Sequence, residues 1–179
     1  MSLKSSSTAH SVRIRTESSE NVAERSAIRL VNEAAFGGSE EADLVDRLRG
    51  DDCTLLSLVA ESERGVVGHI LFSRMWVKTV TGLVSAVALA PLAVLPEYQR
   101  KGVGRSLIEH GVDVLRNQGE GILIVVGHPE YYSRFGFSTD QAALLEGPFP
   151  REVFMAMELC KGALRGIQGR VIYPPAFGI

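Results

Sequence analysis

The stretch Leu83-Val84-Ser85-Ala86-Val87-Ala88-Leu89-Ala90-Pro91-Leu92-Ala93-Val94-Leu95-Pro96-Glu97-Tyr98-Gln99-Arg100-Lys101-Gly102-Val103-Gly104-Arg105 decides the fold. From Leu83 to Leu95 it is long, apolar and nearly free of polar residues, the composition of a strand buried on both faces. Beyond Gly102, residues Val103, Leu107, Gly111 and Val114/Leu115 recur at helical period, with Glu109, Asp113 and Arg116 opposite them. Asn117-Gln118-Gly119 closes that helix, and Ile122 to Val126 is a second, short apolar run. A strand, a helix and a second buried strand make a parallel βαβ crossover. At the joint, Gly102 and Gly104 lack β-carbons, so a ligand can approach the backbone closely. The N–H groups at a helix start have no internal partner, and they favour an anion together with the helix dipole. Arg100, Lys101 and Arg105 add positive charge at the same point, a setting suited to a pyrophosphate.

Two familiar phosphate loops do not fit. The Walker pattern GxxxxGK[ST] does not occur, and the dinucleotide fingerprint GxGxxG fails at its last position, which is Leu107. Six residues, Pro96 to Lys101, also separate strand from glycine, where the dinucleotide fold has almost none. On the loop alone, the glycines could equally serve only to let a helix pack tightly on a sheet.

Outward from this unit, the chain alternates in period. Val12, Ile14 and Thr16 alternate with Arg13 and Arg15 as in a half-buried strand. From Asn21 to Phe36 the residues Ile28, Val31 and Ala35 recur at helical spacing, ended by Gly37-Gly38. A shorter helix follows, with Leu44, Val45 and Leu48 on one face and charged residues on the other. Thr54 to Glu61 and Val66 to Val77 read as a hairpin about Ser62-Glu63-Arg64-Gly65, and a further turn near Thr81-Gly82 leads into the long strand. Strand-like segments recur at Glu152 to Leu159 and at Val171-Ile172-Tyr173. Antiparallel hairpins followed by a parallel crossover predict an α/β (α+β) mixed sheet with helices on both faces.

Composition is that of one globular domain: 179 residues, 45% apolar and 22% charged, with a formal net charge of −2. No basic excess supports nucleic-acid binding. Every apolar run is interrupted too early to cross a bilayer, and the serine-rich N-terminus has no apolar signal region. Residues 1–11 read as a disordered lead-in, 12–160 as the domain, and 161–179 as an apolar tail packing on the domain or on a partner subunit. Cys53 and Cys160 form no CxxC pair, so no disulfide framework or zinc site is expected, and a reducing cytoplasmic setting is.

Several motifs in order carry a resemblance. Gln99-Arg100-Lys101-Gly102-Val103-Gly104 resembles the Q/R-x-x-G-x-G/A signature of the GNAT superfamily of acyl-CoA N-acyltransferases. Pro91 to Tyr98 looks like that family's fourth strand and its exit. Leu58-Val59-Ala60-Glu61 and Val66-Val67-Gly68-His69-Ile70 resemble its second and third strands, and Tyr132-Ser133-Arg134-Phe135-Gly136-Phe137 its late Y-x-x-x-G-F motif. The likeness runs from about Val12 to Leu159. The Pro-Leu-Ala-Val run, the pair Tyr131-Tyr132 and the tail Gly169 to Pro174 point to the bacterial YhbS-like branch.

The resemblance implies a GNAT fold and an acetyl-CoA-dependent N-acetyltransferase that moves an acetyl group directly to an amine of a small molecule or protein, with no metal. In the family the fourth and fifth strands splay. The pantetheine arm would then run along Leu92, Ala93 and Val94, and the pyrophosphate would meet N–H groups of Gln99, Arg100, Lys101, Gly102, Val103, Gly104 and Arg105. A backbone N–H near Val94 would hold the oxyanion. Tyr132 matches the position of the family's general acid; a purely structural reading packs its ring beside Phe135 and Phe137. Many relatives carry a glutamate on the fourth strand, and Leu83 to Leu95 has no carboxylate, which leaves Glu33, His69 and His128 as unplaced candidates for the base. That departure sustains a second reading, a non-catalytic acyl-CoA sensor. The acceptor pocket is expected around Ala34 to Glu41 and the tail, with a homodimer possible by resemblance.

Overall fold

The computed structural model describes residues 11–18 and 20–179, so the expected lead-in over residues 1–11 lies almost wholly outside the described residues. The chain runs β1 (Arg13–Thr16), α1 (Val22–Phe36), α2 (Glu40–Gly50), β2 (Thr54–Ser62), β3 (Gly65–Thr79), β4 (Gly82–Val94), α3 (Val103–Asn117), β5 (Ile122–Val126), α4 (Pro129–Tyr132), β6 (Leu145–Glu146), β7 (Phe154–Glu158) and β8 (Gly169–Ile172). Local chemistry sets the boundaries. The Asn21 side chain accepts from the Glu24 N–H at 3.2 Å and starts α1. Gly37 ends it in the left-handed region, φ 77°, returning its N–H to Glu33 O at 2.8 Å.

Among the described residues eight strands form one mixed sheet, ordered β1-β2-β3-β4-β5-β7, with β8 joining β3 and β6 joining β8 off that path. The β4–β5 pair is parallel and bridged by α3, whereas its neighbours on either side are antiparallel. The 15-residue β3 is served along one edge by two strands. β2 pairs with it up to Ser73, and β8 takes over from Trp76 to Lys78. The tail is thus held within the sheet, and Arg47 Nε fastens it to α2 by donating to Ala176 O at 2.8 Å.

Strand alternation sends neighbouring residues to opposite faces. Leu58, Ile70 and Phe72 lie under α3 with Leu107, Ile108 and Leu115. Val59 and Leu71 lie under α1 and α2 with Ile28, Val45 and Leu48. Gly111 lets α3 approach closely, because a β-carbon there would stand 2.4 Å from the Phe72 ring.

The long strand is less uniform than its composition suggests. Its first residues project beyond the core, with Leu83 63% exposed, and only from Ala86 onward is it buried. Between Ile70 and Phe72 of β3 the register advances by two residues, whereas β4 advances by three, from Leu92 to Leu89. The extra residue is a β-bulge at Ala90-Pro91, where a proline with no N–H is tolerated.

Candidate active site

The bulge decides where the site lies. β4 pairs with β5 at Val87, Ala88 and Leu89 and no farther. On the β3 side the ladder continues to Leu95, whose N–H donates to Val67 O at 2.9 Å. Antiparallel ladders alternate, so Ala93 faces β3 while the backbone groups of Leu92 and Val94 face away, toward the gap left by β5. The Val94 carbonyl accordingly accepts from Gln99 Nε2 at 3.0 Å. A short parallel segment with an open edge above it is a sheet that splays.

A cleft of about 700 Å³ fills the splay. Leu89 to Leu92 and Val94 form one wall; Val126, Gly127 and His128 form the other. Gln99, Arg100 and Gly104 line it with Tyr131 and Tyr132, and Ala35, Phe36, Glu41 and Leu44 join them from α1 and α2.

At the start of α3, the first bond of the ladder runs from Ser106 N–H to Gly102 O at 2.9 Å, so the N–H groups of Val103, Gly104 and Arg105 lie ahead of it. Gly102 is left-handed, φ 86°, a conformation other residues adopt at a cost, and Arg100 adopts it too, φ 58°. Backbone N–H groups turned to one side in this way form an anion-binding concavity. The loop's remaining side chains are spent elsewhere. Val103 is buried in the core, Lys101 stands 5.7 Å from the Tyr98 ring centroid, and Arg105 is exposed and paired with Glu109 at 2.8 Å. Leu92, Val94, Gln99, Arg100, Gly104 and Tyr132 therefore line the cleft, and Ala93, Lys101, Gly102, Val103 and Arg105 do not.

The one-turn α4 sets the two tyrosines. Both Tyr131 and Tyr132 N–H groups donate to His128 O, at 3.0 and 3.1 Å. Their rings meet edge to face, centroids 5.1 Å apart, and both line the cleft. Tyr132 lies over Gly127, where a β-carbon would stand 2.4 Å from its ring, and meets Phe137 at 5.7 Å. Phe135, the other neighbour expected for Tyr132, packs instead on Tyr131 at 5.4 Å, because the turn swings it to that side. Burial, and then the neighbouring Tyr131, raise the Tyr132 hydroxyl's pKa well above its ordinary value, so it holds its proton at neutral pH. The Tyr131 hydroxyl covers the start of α3: a β-carbon on Gly104 would lie 2.7 Å from it.

Of the three expected base candidates, two are elsewhere. Glu33 is paired with Arg29 at 2.9 Å. His69 is fully buried, between Ser57 Oγ at 2.9 Å and Asn32 Nδ2 at 3.2 Å. The amide donates to Nδ1, so the ring carries its proton on Nε2 and donates to Ser57, which in turn donates to Glu17. Burial and then the charge of Arg49 lower its pKa to about 3, so it is a neutral structural group. His128 is exposed and does reach the cleft. Sequence reading did not reach Tyr131 as a lining residue or single out Glu41 and Phe36 as individual groups. Its one available signal for the splay was a proline inside an otherwise uninterrupted strand.

Known proteins share this fold. A family profile described as Acetyltransferase (GNAT) domain matches residues 54–139. The chain is 45% identical over 132 residues to the uncharacterized N-acetyltransferase YjhQ of Escherichia coli K12, covering 71% of this chain and 73% of that protein. It superposes on the crystal structure of YhbS, a GNAT family N-acetyltransferase from Escherichia coli in complex with CoA, with a TM-score of 0.87. Identity there is 32%, covering 96% of this chain and 94% of that one. A GNAT family acetyltransferase from Brucella melitensis, in complex with acetyl-CoA, gives a TM-score of 0.77 at 32% identity, covering 94% of this chain and 99% of that one.

Proposed function

The chain belongs to the GNAT family of acetyltransferases, and from that premise we propose that the cleft between β4 and β5 binds acetyl-CoA and serves direct transfer of its acetyl group to an amine of a small molecule or protein. The observation that carries this reading is the open edge of β4: Leu92 and Val94 offer backbone groups to a gap that no strand among the described residues fills. Relatives crystallised with CoA and acetyl-CoA share this fold at about a third identity.

Acetyl-CoA supplies an acyl group activated as a thioester. The chain's residues would then act as follows. Leu92 and Val94 hold the pantetheine arm as an added strand would be held. The N–H groups at the start of α3, with Arg100 beside them, hold the pyrophosphate. The Val94 N–H stabilises negative charge on the reacting carbonyl oxygen. The Tyr132 hydroxyl keeps the proton that the departing sulfur takes up. The cleft walls align the amine with the carbonyl carbon, which is where most of the rate gain of a direct transfer lies. Two unpaired thiols suit a cytoplasmic enzyme, the setting we infer.

The test is a thermal-shift titration with acetyl-CoA beside thiol release with an amine panel. Acetyl-CoA should raise Tm, since a ligand bound only by the folded state stabilises it. Gly104→Val should abolish the rise, because a branched side chain meets the Tyr131 hydroxyl and fills the loop's mouth. An unchanged wild-type Tm at saturating acetyl-CoA contradicts the proposal. A rise without thiol release for any amine moves the chain to the sensor reading.

A further inference from the structure

Among the described residues Glu41 is the one carboxylate lining the cleft. It sits in the first turn of α2, three residues before Leu44, so both project from one face of the helix, and that face looks into the cleft with Ala35 and Phe36. Of the acids around it, Glu40 is exposed and lies outside the cleft lining, and the others are engaged. Glu33, Asp43 and Asp46 all pair with Arg29, Asp46 also with Arg49, and Asp43 also accepts from Ser39. Among the described residues Glu41 makes no ion pair and no side-chain hydrogen bond. It shares the cleft with Arg100 without pairing to it. The wall therefore offers one uncommitted, half-buried carboxylate in an apolar and aromatic frame.

An anionic cofactor has no use for that charge, whereas an amine does, because before reaction it arrives as an ammonium. A carboxylate within a low-dielectric cleft attracts an ammonium more strongly than one in water. An aromatic face such as that of Phe36 adds to the attraction of a cation, and an apolar stem would cover Ala35 and Leu44. We propose that Glu41 is the ammonium-recognising residue of the acceptor subsite, and that the acceptor is a primary amine carried on an apolar stem. This rests on the cleft being the acetyl-CoA site. Glu41 sets specificity here. It binds the acceptor ahead of reaction and takes no part in breaking the thioester; the ammonium gives up one proton to water before it attacks, and the proton its nitrogen sheds on attack replaces the one Tyr132 passes to the departing sulfur.

The experiment measures thiol release from acetyl-CoA by the full chain with phenethylamine, hexylamine and, as a polar-stem control, glycinamide, and in parallel the acetyl-CoA thermal shift. The expected result is release with phenethylamine and hexylamine above an amine-free blank, with glycinamide at least tenfold less efficient. Glu41→Gln raises KM for the two apolar amines about tenfold, leaves kcat within about threefold, and leaves the thermal shift unchanged. Glu41→Asp, which keeps the charge, recovers part of the loss. A KM in Glu41→Gln equal to that of the wild type overturns the proposal. So does a fall in kcat alone, which would make Glu41 part of the chemistry, and so does silence of both apolar amines. A wild-type chain with no thermal shift fails at the cofactor reading instead, and is told apart by that measurement.

Discussion

The two halves of β4 have similar composition and opposite uses. From Val87 to Leu89 the strand is clamped between β3 and β5, and its side chains are less than 5% exposed. From Ala90 to Val94 it keeps β3 and loses β5, and its free edge becomes the wall of a cleft. The difference is one extra residue at Ala90-Pro91. In this molecule apolar sequence fixes depth, and register decides whether a buried strand is structure or site.

Breaking the clamped half should have the largest effect. Leu123, fully buried, faces Val87 on one side and Met157 on the other. Leu123→Ala should cost about 3 kcal/mol of stability, the usual cost of a truncated core leucine. Leu92→Ala, on the half-buried open side, should cost about 1 kcal/mol and show itself mainly in weaker acetyl-CoA binding. Urea titrations of both variants check the pair; equal losses would erase the distinction between the halves.

The second comparison sharpens the open end. Tyr132→Phe should lower kcat by roughly ten- to a thousandfold, the range for losing a general acid or somewhat below it, with little change in acetyl-CoA affinity because the ring keeps its contact with Phe137. Tyr131→Phe should leave kcat nearly intact, since its hydroxyl covers Gly104 at the start of α3. Steady-state thiol release beside direct binding separates them, and the reverse pattern exchanges their roles.

A third effect, of about 2 kcal/mol, concerns the strand that backs the open half. His69, opposite Ala93 on β3, has a folded pKa near 3 against an ordinary 6.5. The unfolded chain therefore binds the extra proton between those values, and stability is full above pH 6.5 and falls as pH drops toward 3. Between pH 6.5 and 5 the loss should be about 2 kcal/mol. Chemical denaturation at the two pH values measures it, and His69→Gln should flatten the slope. An unchanged slope in that variant would place the acid sensitivity elsewhere.

These effects also separate what the chain discloses from what it conceals. The order of strands and helices was legible because each element carries its own period and its own stops, such as Asn21 and Gly37 around α1. The loop from Gln99 to Gly104 was legible because its chemistry is local. The bulge was not, since a proline in an apolar run signals an irregularity without saying which neighbour is lost. Nor was Glu41, which reaches the cleft only because α2 folds across it from some fifty residues upstream of β4's open end. His69 looked like a base candidate by type, and only its enclosure by Ser57 and Asn32 shows otherwise. Long-range contacts set all three, and residue type alone carries no record of them.

Amide hydrogen exchange along β4, with and without saturating acetyl-CoA, tests the central claim most directly, because exchange reports the opening of individual backbone bonds. If the open edge is where the pantetheine arm lies, the Leu92 and Val94 amides should slow at least tenfold on binding, and the amides at the start of α3 with them. Those of Val87 to Leu89, already paired, should follow only the change in global stability. Bound acetyl-CoA that leaves Leu92 and Val94 exchanging as before would contradict the account.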